Sequence, residues 1–262
     1  MYTTLNKMNI LFTVCGRAGS KGIKNKNIRD FLGVPLIYYT FSAIDLYVRE
    51  YPEHNIEVVV NTDSEELIKI AEENPFFRID VVRRSEELGG DRVAKTLVVL
   101  DSLENMSERT QNTYDMVVDL DITSPLRKAE DIKKLISVQQ HTKCDVVFSV
   151  TNARRNPYFN MVVKSEKGYK KVLDSNYVAR QQAPAMFDMN ASLYAYNPNF
   201  LRRKKGVLDG YCEVIKMEDT GILDLDHESD FELMEVIAKY LFEKKPSFGD
   251  IYRNIVAKGI KE

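Results

Sequence analysis

The sequence predicts an α/β fold whose sheet is mostly parallel and covered by helices on both faces. Three observations carry that prediction. Short runs rich in apolar residues, at 10–14, 57–61, 80–83, 116–122 and 145–150, alternate with amphipathic stretches at 36–48, 64–73, 93–103 and 129–140. Strands buried on both faces read as continuous apolar runs, and the helices between them supply the crossovers that parallel pairing requires. Several runs end in polar residues, as in VVVNTDSEE and VVDLDITSPLR. An open α/β sheet binds its ligands at these carboxyl ends.

The alternation stops near residue 151. The stretch NARRNPYFNMVVKSEKGYKKVLDSNYVARQQAPAMFDMN carries two short strand candidates and much polar loop, and reads as an excursion from the sheet. The core pattern returns in ASLYAY, YCEVIKM and GILDLD, and a long helix, ESDFELMEVIAKYLFEKK, precedes what reads as a short tail. The main domain is therefore expected over 1–151 and 191–262, with a small arm over 152–190. There is no internal repeat.

Composition narrows the function classes. A chain of 262 residues buries a large core without staples. A formal charge of −2 argues against bulk binding to nucleic acid, so any phosphate chemistry must rest on a local basic cluster. No apolar run is long enough to cross a membrane, and the first residues lack a signal peptide's apolar segment. Three cysteines, Cys15, Cys144 and Cys212, show no metal-ligand spacing and point to a reducing, cytoplasmic setting. Cys15 and Cys144 sit in apolar runs and read as inert packing, as do Tyr39, Phe41 and Tyr47 at helical spacing. His54, His141 and His227 read as surface residues.

The stretch GRAGSKGIKNKN, residues 16–27, follows the first apolar run directly. Glycines allow close backbone approach, and cationic side chains among free N–H groups make an anion site. No Walker A pattern threads through it, and glycines at 16, 19 and 22 do not make the dinucleotide G-x-G-x-x-G. What remains is R-x-x-S-K-G-x-x-x-K-N from Arg17 to Asn27. Taken alone, it is either a phosphate cradle or a solvated basic loop.

This loop resembles the N-terminal signature of the CMP-sialate synthetases, cytidylyltransferases that activate nine-carbon acidic sugars. The resemblance continues in order down the chain. NTDSEEL (61–67) resembles the family's S-T-D segment, and RSEELGGD (84–91) its R-P-x-E-L-x-x-D. TSPLR (123–127) is identical to a core motif, ARQQAPAMFDMNASLY (179–194) resembles R-Q-x-x-P…N-G-A-I-Y, and LDLDHESDFE (223–232) resembles I-D-I-D-T-x-x-D-L. The resemblance implies a Rossmann-like sheet of the nucleotide-diphospho-sugar transferase type. It also implies a homodimer in which the arm reaches the neighbour's active site. The reaction implied is attack of a sugar acid's anomeric hydroxyl on the α-phosphate of CTP, with loss of pyrophosphate.

Such a displacement needs in-line positioning and neutralisation of phosphate charge. Arg17 and Lys21 suit the β- and γ-phosphates, with Ser20 and the loop amides completing the cradle. By resemblance Lys26 also faces phosphate, Asn27 faces ribose or base, and Arg84 reads the base with Asp91 shaping its loop. The alternative for Arg84 is half of a surface ion pair. Pyrophosphate departure calls for Mg2+ or Mn2+, and Asp224 and Asp226 alternate along a presumed strand so that both carboxylates share one face. The family uses this D-x-D for metal, although Asp226 also fits as a helix cap.

Asp119 and Asp121 share a strand face at its carboxyl end. Asp119 reads as structural, paired with a basic neighbour. Asp121 stands where many sialate synthetases carry glutamine, and reads as a metal ligand, a contact to sugar hydroxyls, or a plain variant. On the sugar side the matches are Arg180, Gln181, Asn190 and Tyr194. Departures fall in the same region: Asp188 where an arginine is found, Phe159 near an expected lysine, and NASLY for N-G-A-I-Y. A nucleotide half that fits and a sugar half that drifts lead to either N-acetylneuraminate or legionaminate, feeding surface glycan synthesis (lipopolysaccharide or capsule). The rival readings are an inactive nucleotide-binding homologue and an eight-carbon (Kdo) cytidylyltransferase, whose S-x-R-L-P-x-K the loop fits poorly.

Overall fold

Strand β1 (Asn9–Cys15) is the hub of the sheet, because its alternate side chains bury on opposite faces. Ile10, Phe12 and Val14 join one apolar layer and Leu11 the other. The computed structural model describes residues 7–19, 22–90, 92–221, 225 and 227–260.

The strands that follow are β2 (Asp30–Phe31), β3 (Val34–Pro35), β4 (Asn55–Thr62), β5 (Asp80–Arg83), β6 (Met116–Leu120), β7 (Val146–Asn152), β8 (Val162–Ser165), β9 (Gly168–Lys171), β10 (Phe187–Tyr196) and β11 (Cys212–Lys216). The helices are α1 (Leu36–Glu50), α2 (Glu65–Glu72), α3 (Lys95–Thr110), α4 (Ala129–Thr142), α5 (Pro198–Arg202), α6 (Glu228–Lys244) and α7 (Pro246–Ala257). Seven strands form the main sheet in the order β11-β7-β10-β6-β1-β4-β5. Every pairing in it is parallel except those of β10, which runs antiparallel between β6 and β7.

Helices α1, α2, α4, α6 and α7 contribute to the layer behind Phe12, whereas α3 and α5 cover Leu11. Helix α1 buries Leu36, Ile37, Tyr39, Phe41, Ile44 and Tyr47, so the aromatic run read as core is core. The Ser64 hydroxyl caps α2 by accepting from Leu67 N at 3.2 Å, leaving Glu65 and Glu66 in the first turn where the helix dipole favours them.

Three expectations need correction. The residues after α6 are not a tail: Pro246 occupies the first position of α7, where a missing N–H costs nothing. Phe248, Ile251 and Ile255 bury that helix against the core. Strand β6 stops at Leu120 rather than at 122, because Thr123 N turns back to donate to Asp121 Oδ1 at 2.8 Å. His54 is not a surface residue. It is buried, its Nδ1 accepts from Met8 N at 3.2 Å, and its ring stacks on Tyr51.

The excursion leaves the sheet at 153–186. Among the described residues β8 and β9 pair only with each other, and they carry Val162 and Tyr169 largely exposed. Beyond them β10 rejoins the sheet, with Phe187 opposite Asn152 and Asp188 opposite Thr151.

Helix α7 is locked to α1 through buried polar groups. Asn254 Nδ2 donates to Asp45 Oδ2 at 2.9 Å and to Ser42 Oγ at 3.0 Å, while Asn254 Oδ1 accepts from Arg49 at 3.1 Å. Truncating one member strands the others in an apolar layer. Asn254→Ala is therefore expected to lower unfolding stability by about 2–3 kcal/mol. Urea denaturation checks this; an unchanged midpoint would show that the Asn254 bonds add nothing to stability.

Candidate active site

The loop after β1 is held against the carboxyl ends of β1 and β4. Gly16 N donates to Asn61 O at 3.1 Å, and a Cβ at Gly16 would meet Leu67 Cδ2 at 2.6 Å and Ile122 Cδ1 at 2.8 Å. Only glycine lets the chain leave the strand so close to those side chains. Gly19 takes the left-handed region at φ +66. Ala18 N donates to Asp63 Oδ1 at 2.6 Å, and Asn27 Nδ2 donates to Arg17 O at 3.0 Å. Arg17, Lys26 and Asn27 thus belong to one folded loop, each half-buried. Ser20 and Lys21 lie outside the described residues.

The same loop is tied to the start of α6. Lys26 Nζ donates to Leu225 O at 2.7 Å, and Leu225 is itself buried. Arg29 pairs with Glu228, and its guanidinium lies 4.2 Å over the Phe231 ring. His227 N donates to Asp230 Oδ2 at 2.8 Å, a capping bond at the start of α6. Asp224 and Asp226 flank Leu225 in sequence and lie outside the described residues, as does Asp91. Among the described residues, no group of three or more His, Cys, Asp or Glu side chains is placed to hold a metal.

Arg84 is half-buried, and no ion pair of its side chain is seen among the described residues. Its Nε donates to Asn61 Oδ1 and its Nη2 to Asn61 O, both at 2.9 Å, while Asn61 Nδ2 donates to Asp101 Oδ2 at 2.8 Å. One asparagine therefore fixes the guanidinium plane beside Gly16.

A charge cluster stands at the carboxyl ends of β1 and β6. Lys95 Nζ lies 2.7 Å from Asp119 Oδ2 and donates to Asp121 Oδ2 at 3.0 Å. Asp119 is fully buried and also accepts from Thr13 Oγ1 at 2.8 Å, which makes it the structural, lysine-paired carboxylate expected. The second oxygen of Asp121 accepts from Thr123 N at 2.8 Å and Thr123 Oγ1 at 2.6 Å. Arg127, 1% exposed, donates through Nη2 to the Asp121 carbonyl. Burial raises the Asp121 carboxyl, but Lys95 and the Thr123 bonds outweigh it and hold it at about 2. Burial brings the Arg127 guanidinium down to about 10. Lys95 is likewise penalised by burial, yet Asp119 and Asp121 raise it well above the ordinary lysine range. Nothing in RVAKTL marked Lys95 in the sequence; only folding brings the first residue of α3 to the ends of β1 and β6.

The sugar-side matches do not converge on one place. Arg180 and Gln181 line an open groove of about 470 Å3 with Asn152, Asn156 and Pro184, and Arg180 Nη2 donates to Ala153 O at 2.6 Å. Asn190 lines a narrow polar recess of about 20 Å3 with Thr123, Ser124, Thr151, Met217 and Glu218, room for about one water-sized group. Its Oδ1 accepts from Ser149 Oγ at 2.5 Å. Tyr194 lies beyond a bulge in β10, buried with Phe148 and Tyr196, and the Lys95 ammonium stands 5.5 Å from its ring.

The folded pKa of Asp121 lies below the ordinary aspartate value of 3.8, so its stabilising contribution is present above pH 4 and is lost as pH falls towards about 2. Asp121→Asn should flatten that acid limb of the stability profile, measured by urea midpoints from pH 5 to 2. An unchanged acid limb would show that Asp121 is not held this way.

A cytidylyltransferase family model matches residues 11–245. The chain is 35% identical over 233 residues to the post-translational flagellin modification protein B of Campylobacter coli, covering 88% of this chain and 95% of that one. It is 34% identical to the CMP-N,N'-diacetyllegionaminic acid synthase of Campylobacter jejuni subsp. jejuni, covering 87% and 94%. The fold matches a CMP-2-keto-3-deoxy-manno-octonic acid synthetase solved with CTP, at a TM-score of 0.62 and 14% identity, over 88% of this chain and 99% of that one. This chain belongs to the cytidylyltransferase family.

Proposed function

We propose that this protein activates a nonulosonic acid of the legionaminate or N-acetylneuraminate type as its CMP derivative. The bond formed joins the sugar's anomeric oxygen to the α-phosphorus of CTP; the bond broken releases pyrophosphate, and the hydroxyl proton leaves to solvent. The observation that carries the reading is the bond from Lys26 to Leu225 O. It joins the loop that would cradle the triphosphate to the segment bearing Asp224 and Asp226.

Arg17, Lys21 and Lys26 bind triphosphate oxygens, with Ser20 and the loop amides completing the cradle. Asn27 and Arg84 face the nucleoside, and the grip of Asn61 on Arg84 orients it before the base arrives. Asp224 and Asp226 would hold a magnesium ion, whose chemistry is to neutralise charge on the departing pyrophosphate. A hard cation of this kind takes carboxylate oxygens and keeps several waters, which suits two acidic residues next to an anchored leucine. The legionaminate choice is supported by the 34% identity to a legionaminic acid synthase over most of both chains. The product would feed surface glycan synthesis in the cytoplasm. No helix among the described residues is long and apolar enough to cross a membrane.

The arm presents Val162, Tyr169 and Val178 well exposed, an apolar set that suits contact with a second copy. In such a homodimer Arg180 completes the neighbour's sugar site.

Purified protein should release pyrophosphate only when CTP, a divalent ion and a nine-carbon 2-keto sugar acid are all present. Full activity in EDTA, or a preference for ATP or for the eight-carbon acid, would overturn this reading. Lys26→Met should lower kcat/KM by roughly 10²–10³, the scale of losing one preorganised charge contact, with little change in Tm. Arg180→Ala should raise the sugar acid's KM far more than that of CTP, since it removes a charge-assisted contact to the sugar carboxylate. Mixed Arg180→Ala and Lys21→Ala subunits should recover about one active site per mixed dimer. No recovery, with subunit exchange confirmed, would place Arg180 within its own site or outside catalysis.

A further inference from the structure

The sheet order divides the carboxyl edge into two halves. The basic loop leaves β1 and is held by Asn61 and Asp63 at the end of β4. The polar recess lies on the other half, built from the turn after β6 and from residues of β7, β10 and the stretch after β11. Lys95 sits on the boundary, because its ammonium reaches Asp119 within β6 and Asp121 just beyond it.

We propose that Lys95 is a positioning residue for the acceptor half of the site: by holding the Asp121 carboxylate it fixes the Thr123–Leu126 wall of the recess. The chain of contacts is continuous. Lys95 Nζ donates to Asp121 Oδ2, Asp121 Oδ1 accepts from both Thr123 N and Thr123 Oγ1, and Thr123 lines the recess opposite Asn190. Backbone bonds add to it, since Asp121 N donates to Ser192 O at 3.1 Å and Arg127 donates to Asp121 O. Ser192 lies two residues from Asn190 on β10, so Asp121 meets both walls. Asp121 thus acts on the recess through Thr123.

The charges around this point nearly balance. Lys95 and Arg127 face Asp119 and Asp121, with the Tyr194 ring below the ammonium. Removing Lys95 leaves two neighbouring carboxylates with no ammonium between them. They repel, and the strain falls on Asp121 and its Thr123 bonds, because Asp119 is fully buried within β6 and held by Thr13 whereas the Asp121 side chain lies past the strand end, 25% exposed. The wall that moves is then the acceptor wall, while the basic loop, anchored to Asn61 and Asp63, stays in place.

This inference rests on the acceptor being a sugar acid, so its test has an arm that does not. In the full-length protein, Lys95→Met should accelerate hydrogen exchange at the Thr123 amide at least tenfold, while exchange at Gly16 and Ala18 is unchanged. The same variant should raise the KM for the sugar acid by about tenfold, the size of one hydrogen bond to a charged group, with the KM for CTP within about threefold of wild type. Asp121→Asn in the Lys95→Met background should add little further loss, because the two residues act as one unit. Lys95→Arg, which keeps the charge, should recover part of the acceptor affinity. Unchanged exchange at Thr123 would overturn the proposal, as would a rise confined to the KM for CTP. A fall in Tm with both KM values unchanged would reduce Lys95 to a structural residue and overturn it equally. If no sugar acid is turned over by wild type yet Thr123 responds, the functional reading fails and the positioning role of Lys95 stands.

Discussion

Asp119 is a carboxylate with no exposed surface, set in the middle of a hydrophobic sheet next to β1. Left alone, such a group would cost several kcal/mol to bury. The architecture compensates it twice, with the Thr13 hydroxyl from the neighbouring strand and the Lys95 ammonium from α3. That requirement accounts for a lysine at the first position of α3, where the helix dipole by itself disfavours a cation. It also explains why Cys15, in the same neighbourhood, has its thiol pushed far above the ordinary range by burial and by Asp119. A thiol kept protonated in that setting is a poor nucleophile, in keeping with a packing role.

Much of the fold was legible because the apolar pattern is dense. Strands with nearly every side chain buried, such as β6 and β7, cannot be read as solvent-facing, and their helices carry buried residues at helical spacing. What failed were places where a local signal has two meanings. A proline after a helix reads as a stop, yet Pro246 starts α7 and the polar Asn254 inside that helix is satisfied only by residues of α1. His54 reads as a surface residue because it matches no role in the family's pattern. Its burial comes from Tyr47 and Tyr51 stacking along the end of α1, a contact that no spacing rule signals. Burial also holds its imidazole below the ordinary histidine range.

The candidate site was legible in proportion to how local its parts are. The basic loop is one continuous segment, so its composition marked it as a candidate anion site and the motifs down the chain supplied the phosphate-cradle reading. Arg84 was found through its motif, but that its plane is set by both the side chain and the carbonyl of Asn61 required the β4–β5 pairing. Lys95 carried no signal because its partners, Asp119 and Asp121 at the end of β6 and the Tyr194 ring on β10, come to it only through folding, Asp121 standing 26 residues away in sequence. Asp63, by contrast, lay within a quoted motif, and the structure gives it a definite task in holding the Ala18 amide.

The bulge in β10 shows how the recess is tied to the sheet. The register shifts between Met189 and Tyr194, and Ala191 takes a left-handed conformation at φ +51. For a residue with a Cβ this costs roughly 1–2 kcal/mol. The surroundings hold it there: Asn190 Oδ1 accepts from Ser149 Oγ and from Ser192 N, and Leu193 N donates to Ser149 Oγ at 3.0 Å. The consequence is that Asn190 turns into the recess while Tyr194, four residues on, is buried against Lys95. Asp121 then closes the circuit, its amide on Ser192 and its carboxylate on Thr123 and Lys95. The strain at Ala191 and the charge pair at Lys95 therefore shape one recess from two sides. A change on either side is felt by the other through a single residue, Asp121.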